Sequence, residues 1–172
     1  IAFRSPKGQP IQTIRQLSQL QSVMGSRGRS GDYLNAWEAS FGPVGDDGYP
    51  QPLWDKTTGN IDRDVAQYWR DNGYDLTQYV KTHWPRIGND LKGKLHLYVG
   101  DMDNYYFNLS VLLTKQTLEE LKNPLYGGSV QLGSPLKAHG WHPMNNASLL
   151  KIMAGHITSR AAAGTDTDQW KY

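Results

Sequence analysis

Gly93-Lys94-Leu95-His96-Leu97-Tyr98-Val99-Gly100-Asp101-Met102-Asp103 is the stretch that decides the fold. Residues 94–100 alternate apolar and polar side chains, carry Tyr and Val, and stop at Gly100 and two aspartates, which predicts a β-strand ending in an acidic turn. From about Asn104 to Lys122 the pattern becomes helical: Leu109, Leu112 and Leu113 form an apolar stripe, and Asn123-Pro124 ends it. A second short strand, Ser129 to Leu132, leads into Lys137-Ala138-His139-Gly140-Trp141-His142-Pro143. A last helix follows, with Leu149, Leu150, Met153 and Ile157 on one side and an Asn or Ser near its start. The order strand, acidic turn, helix, strand, histidine loop, helix predicts an α/β fold with two parallel strands joined by a right-handed crossover.

That order also predicts where chemistry sits. Ligands of open parallel sheets bind beyond the carboxyl ends of the strands. Asp101 and Asp103 follow the first strand, while His139 and His142 lie in the loop after the second. Neighbouring strands run roughly 4.8 Å apart, so the two loops can meet. A carboxylate bonded to an imidazole fixes its tautomer and stabilises its protonated form, as a general base for acyl transfer requires. The plainer reading stands beside this one. An Asp after a strand also serves as a turn former or helix cap, and a His beside Gly and Pro also serves as a loop residue.

Upstream, residues 1–92 read as a helical and loop-rich insertion or cap-like region. Ile11, Ile14, Leu17 and Leu20 predict a short amphipathic helix ending near Gly25. Ser26-Arg27-Gly28-Arg29-Ser30-Gly31 reads as a flexible basic loop, and residues 42–60, dense in Gly, Pro and Asp, as a long irregular connection. Asp62 caps a predicted helix carrying Val65, Tyr68 and Trp69. A further helix is expected from Asp75 to His83, with Pro85 forbidding its continuation. Residues 93–163 form the α/β segment, and 164–172 a polar tail.

Composition narrows the function classes. The chain has 172 residues, enough for one domain with a core. A mean hydropathy of −0.64 and no long apolar run exclude a transmembrane helix. A net charge of +2, spread along the chain, argues against a nucleic-acid partner. Without cysteine there are no disulfides or thiolate metal sites. No cofactor is called for. The stretch Asp55-Lys56-Thr57-Thr58-Gly59-Asn60-Ile61-Asp62 lacks the spacing and terminal Glu of an EF-hand and reads as a turn before a capped helix. Ile1 in place of Met points to a processed or excised piece.

Three stretches carry a family resemblance: Phe41-Gly42-Pro43-Val44-Gly45-Asp46-Asp47-Gly48-Tyr49-Pro50, Pro52-Leu53-Trp54-Asp55-Lys56-Thr57-Thr58-Gly59, and Gly93 through Tyr106. Together they resemble a family of large secreted proteins labelled esterase or α/β-hydrolase, over about Val23 to Ile157. Ala138-His139-Gly140-Trp141 is similar to the histidine loop ending such domains. The resemblance implies the C-terminal portion of an α/β-hydrolase-type parallel sheet, its last two core strands with flanking helices. It implies Asp103 as the catalytic acid, with Asp101 in reserve, and His139 as the catalytic histidine, with His142 its neighbour.

The hydrolase order is Ser, acid, His, with the Ser in a Gly-x-Ser-x-Gly elbow. No such elbow occurs. Ser26 and Ser30 follow no convincing strand, and Ser129 opens one, the wrong place. The expected elbow lies upstream of Ile1, so the chain holds two-thirds of a triad and is not expected to be active alone. Two strands also leave unpaired edges. The predicted partners are therefore an upstream half of the same precursor or copies of the chain, with a small ester as substrate. Tyr49, Trp54, Trp69, Tyr105, Tyr106 and Trp141 are core or pocket aromatics. Asn108-Leu109-Ser110 and Asn146-Ala147-Ser148 are glycosylation sequons that favour secretion, Asn146 being the better acceptor at a helix start. The alternative function is a non-catalytic structural or assembly module retaining the hydrolase scaffold.

Overall fold

A computed structural model describes residues 2–24 and 33–168. The basic loop at 26–31, with Ser26 and Ser30, and the last residues of the tail lie outside the described residues. The chain opens with a small antiparallel pair, β1 (Phe3–Arg4) and β2 (Pro10–Gln12). Helices α1 (Ile14–Met24), α2 (Tyr33–Phe41), α3 (Arg63–Asp71) and α4 (Leu76–Leu91) follow. The remainder is β3 (His96–Gly100), α5 (Phe107–Glu120), β4 (Ser129–Gly133) and α6 (Asn146–Thr158).

The fold is α/β, with a small parallel sheet of two strands. β3 pairs with β4 in unbroken register, from His96↔Ser129 through Gly100↔Gly133. Period-two alternation divides β3: Leu97 packs with the core, whereas His96 and Tyr98 face the opposite side, towards α6. The core is Trp84 from α4, Leu118 from α5 and Tyr126 from the loop before β4. Leu95, Leu97 and Val130 bring the sheet against it. Tyr126 also donates its hydroxyl to the Leu95 carbonyl, tying that loop to the start of β3.

Three sequence expectations are corrected. Ile11 belongs to strand β2, not to the first helix. The helix begins at Ile14 because Thr13 and Gln16 form a reciprocal capping box: the Gln16 amide donates to Thr13 Oγ1 (3.2 Å) and the Thr13 amide to Gln16 Oε1 (2.9 Å). Second, α4 runs through Pro85 to Leu91. An interior proline costs about 3 kcal/mol. Burial of the neighbouring Trp84 offsets it: the indole is 2 % exposed and donates to the Pro124 carbonyl at 2.7 Å. Gly88, one turn on, leaves no room for a Cβ beside Pro124 and Trp84. Third, α5 starts at Phe107 rather than Asn104, because Tyr106 stands in the left-handed region at φ 64°.

Asp62 caps α3 as expected, accepting from the Asp64 and Val65 amides. Asn145 caps α6, accepting from the Ser148 amide at 2.8 Å. The stripe of α6 is not packed away: no α6 residue is buried, and Leu150, Met153 and Ile157 are each more than half exposed.

The core cluster is small enough that one deletion tests it. Leu118→Ala is expected to cost about 2–5 kcal/mol, as for a fully buried leucine, read as a shift of the urea unfolding midpoint at unchanged slope.

Candidate functional site

Two glycines set the geometry. Gly100 and Gly133 end the paired strands side by side. A Cβ at Gly100 would overlap the Lys137 and Ala138 carbonyl oxygens, and one at Gly133 would enter the Trp141 ring. The absent side chains thus let the loop after β4 fold back across both strand ends. Backbone bonds hold it there: the Met102 amide donates to the Lys137 carbonyl and the Asp101 amide to the Gly133 carbonyl, both at 2.9 Å.

Asp101 works within this fold-back. Its carboxylate accepts from the Lys137 amide at 2.7 Å and the Leu136 amide at 3.2 Å. Partial desolvation pushes this carboxyl up, but hydrogen bonds from Lys137, Ser134, Leu136 and Met102 outweigh it and hold its pKa below the usual aspartate value. Asp101, the reserve acid, bonds the loop backbone and neither histidine.

Asp103 and His139 meet. His139 Nδ1 lies 2.8 Å from Asp103 Oδ2. The aspartate is 1 % exposed, while the imidazole side chain is 48 % exposed. Asp103 Oδ1 accepts from the Tyr105 amide (2.8 Å) and the Phe107 amide (3.2 Å), the latter opening α5. The carboxylate therefore sits at the positive end of a helix. One oxygen performs the turn-and-cap role that an Asp after a strand ordinarily has, and the other holds the histidine.

With Nδ1–H donating to Asp103, the lone pair of Nε2 is directed away from the carboxylate. Among the described residues Nε2 has no hydrogen-bond partner. Tyr105 and Phe107 wall the imidazole edge-on, with ring centroids 4.7 and 5.5 Å away. His142 is placed differently: its Nδ1 is enclosed without a hydrogen-bond partner among the described residues, and neither aspartate bonds it.

Two residues of the site, Arg4 and Asn104, escaped sequence reasoning, and a third, Asn108, was expected only as a sequon. Arg4, 99 positions before Asp103, donates Nε to the Asp103 carbonyl (3.0 Å) and a terminal nitrogen to Asn108 Oδ1 (2.9 Å). It also stacks 4.3 Å over the Tyr106 ring. Asn104 accepts from the His139 amide at 3.1 Å and donates to the Arg4 carbonyl at 2.9 Å. Asn104 sits in the recognised acidic turn, and an amide next to an acid is a readable signal. Arg4 offers none. Asn108, one sequon asparagine, is 6 % exposed, and its Nδ2 donates to the Asp101 carbonyl. The amide that would carry a glycan is thus occupied in the folded chain. Asn146 is exposed at the first position of α6.

The non-glycine residues of positive φ among the described residues are Tyr106 and Leu136, three positions after Asp103 and three before His139. Strained backbone of this kind concentrates at functional sites. Comparison with protein-family models, with curated proteins and with solved structures finds no match for this chain. The geometry is therefore the ground on which function is argued.

Gly100→Ala is expected to destabilise the protein by about 1–3 kcal/mol, since backbone carbonyls cannot yield to the new methyl. The same change should remove the hydrogen-bonded Nδ1 proton signal of His139 in NMR spectra. Asp101 generates a pH prediction. An unfolded Asp101 holds its proton more tightly than the folded one, so its bonds are in full force above the usual aspartate range and are lost as pH falls through the lowered value. Hydrogen exchange at the Leu136 and Lys137 amides should accelerate across that acid window. In Asp101→Asn it should already be faster at neutral pH, with no acid step attributable to this group.

Proposed function

We propose that this chain supplies the acid and the general base of an esterase-like serine hydrolase, with Asp103 orienting His139. In this reading β3 and β4 are the last two strands of an α/β-hydrolase-type sheet, and the serine comes from outside the 172 residues. The observation that carries the proposal is the 2.8 Å contact between a buried carboxylate oxygen and the Nδ1 of a histidine whose other edge is open. A base in acyl transfer needs this asymmetry: one nitrogen fixed by an acid, the other free to take the serine proton and return it to the leaving alcohol.

The partners follow from the same reading. Among the described residues the sheet has two unpaired edges. An upstream half of the precursor, or further copies of the chain, would complete the sheet. No helix among the described residues is long and apolar enough to cross a membrane. Secretion is supported by the exposed sequon at Asn146 and by the family resemblance. The ester itself would lie against Tyr105 and Phe107, whose exposed rings flank His139.

A second reading is favoured by one specific observation. Asp103 Oδ1 already holds the turn through two backbone amides, so a non-catalytic assembly module could retain this aspartate for structure alone. The two readings separate in one experiment on the intact protein bearing its serine. With an organophosphonate probe, His139→Ala should reduce labelling and ester turnover at least about 10³-fold, and Asp103→Asn by about 10²- to 10⁴-fold. His139→Ala should also lower the unfolding midpoint, because Asp103 Oδ2 is left buried without its partner, so labelling is compared at a temperature where both proteins are folded. Asp103→Asn should also lose about 1 kcal/mol of cap stability. Unchanged labelling in His139→Ala would exclude the catalytic reading and leave the structural one.

A further inference from the structure

A groove of about 730 Å³ lies between the His96/Tyr98 face of β3 and helix α6. It belongs to the opposite end of β3 from the Asp103–His139 pair: His96 opens the strand and Gly100 closes it, a run of about 13 Å. Its volume lies within the range of small-molecule sites. Its wall is the unpacked stripe of α6, with Leu149, Ile152, Met153 and Ile157 turned into it.

The permanently charged groups around that wall share one sign. Lys94 and Arg160 line the groove with His96 and His156, and among the described residues no carboxylate does. The two imidazoles stack at 4.4 Å. His96 is held at both nitrogens, by Ser129 Oγ (2.8 Å) and the Gly93 carbonyl (3.1 Å), so it is part of the wall rather than a free ligand group. Arg160 donates to the carbonyls of Gly93 (2.8 Å) and His156 (3.1 Å), which fixes its guanidinium at the rim between α6 and β3. Lys94 is exposed, and its ammonium has no hydrogen-bond or ion-pair partner among the described residues. An apolar trough with a fixed and a free cation at its rim, and no anion among the described residues, selects a molecule with an apolar tail and a negative head.

We propose that this groove binds a free long-chain carboxylate, its alkyl chain along Leu149, Ile152, Met153 and Ile157 and its head at Lys94 and Arg160. The assignment is independent of the hydrolytic reading, because none of these residues touches Asp103 or His139. A second copy of the chain seated on α6 would present no such requirement for a small anion.

The test is calorimetric titration of the full chain with dodecanoate below its micelle concentration. Saturable one-to-one binding is expected. Decanoate, two methylenes shorter, should bind up to roughly 15-fold more weakly at about 0.8 kcal/mol per buried methylene. Dodecyltrimethylammonium, with the same tail and the opposite charge, should bind at least about tenfold more weakly, as should dodecanoate to Lys94→Glu and to Met153→Glu. Both substituted side chains are exposed, and His139→Ala should leave binding unchanged. Equal affinity for the anionic and cationic amphiphiles, or full affinity in Met153→Glu, would overturn the proposal. So would a dimer that Met153→Glu dissociates while dodecanoate fails to bind, since a second copy would then be the occupant.

Discussion

The pairing of Gly100 with Gly133 is the constraint on which the site depends. Parallel register brings both strands to an end at the same level, and the absence of two Cβ atoms leaves space there for the carbonyls of Lys137 and Ala138 and for the Trp141 ring. The histidine loop can therefore cross above β3, the strand that ends in the acidic turn, instead of continuing away from β4. A shift of one residue in register would separate the glycines and fill the space with Val99 or Leu132. The site is thus a consequence of sheet register before it is a consequence of side-chain chemistry.

The acidic turn then divides its labour between two aspartates. Asp101 grips the loop backbone through Leu136 and Lys137, and Asp103 grips the imidazole. A buried carboxylate is tolerated only when its oxygens are bonded. Asp103 meets that condition with two amides on one oxygen and the histidine on the other. Arg4 adds a third anchor without touching the carboxylate: it bonds the Asp103 carbonyl and so fixes the turn while leaving the Asp103–His139 pair to itself. Helix, loop and N-terminal strand converge on one residue, which is why that residue is almost wholly enclosed while its histidine is not.

How much of this the sequence disclosed follows from the range of the forces involved. The two parallel strands, the crossover helix, the Asp62 cap and the last helix rest on local periodicity and capping and are legible in the sequence, whereas the β1–β2 pair is not. The contact of Asp103 with His139 was legible as topology, because parallel strands carry their following loops to the same rim. What stayed hidden was decided at long range. By the local rule Pro85 ends the helix, yet Trp84 reaches Pro124, 40 positions away, and the burial overrides that rule. Tyr106 took the left-handed region that glycine usually fills, which shortened α5. The stripe on α6 was legible as a pattern, but a pattern does not reveal whether another element covers it. The Thr13–Gln16 box was local and readable, and it was outweighed by the apolar spacing that included Ile11.

The distribution of contacts explains how a two-stranded sheet can hold an ordered aspartate–histidine pair. Among the described residues, every bond that positions Asp103 and His139 comes from the stretch between Gly100 and His139 or from Arg4. None comes from an outer strand edge. The core of Trp84, Leu118 and Tyr126 supports the same unit from one face only. Completing the sheet at either edge would therefore add stability without having to move the pair. The imidazole would keep its orientation, and what a third segment could contribute is whatever meets the open Nε2. The imidazole is thus preorganised on its carboxylate side and open at Nε2.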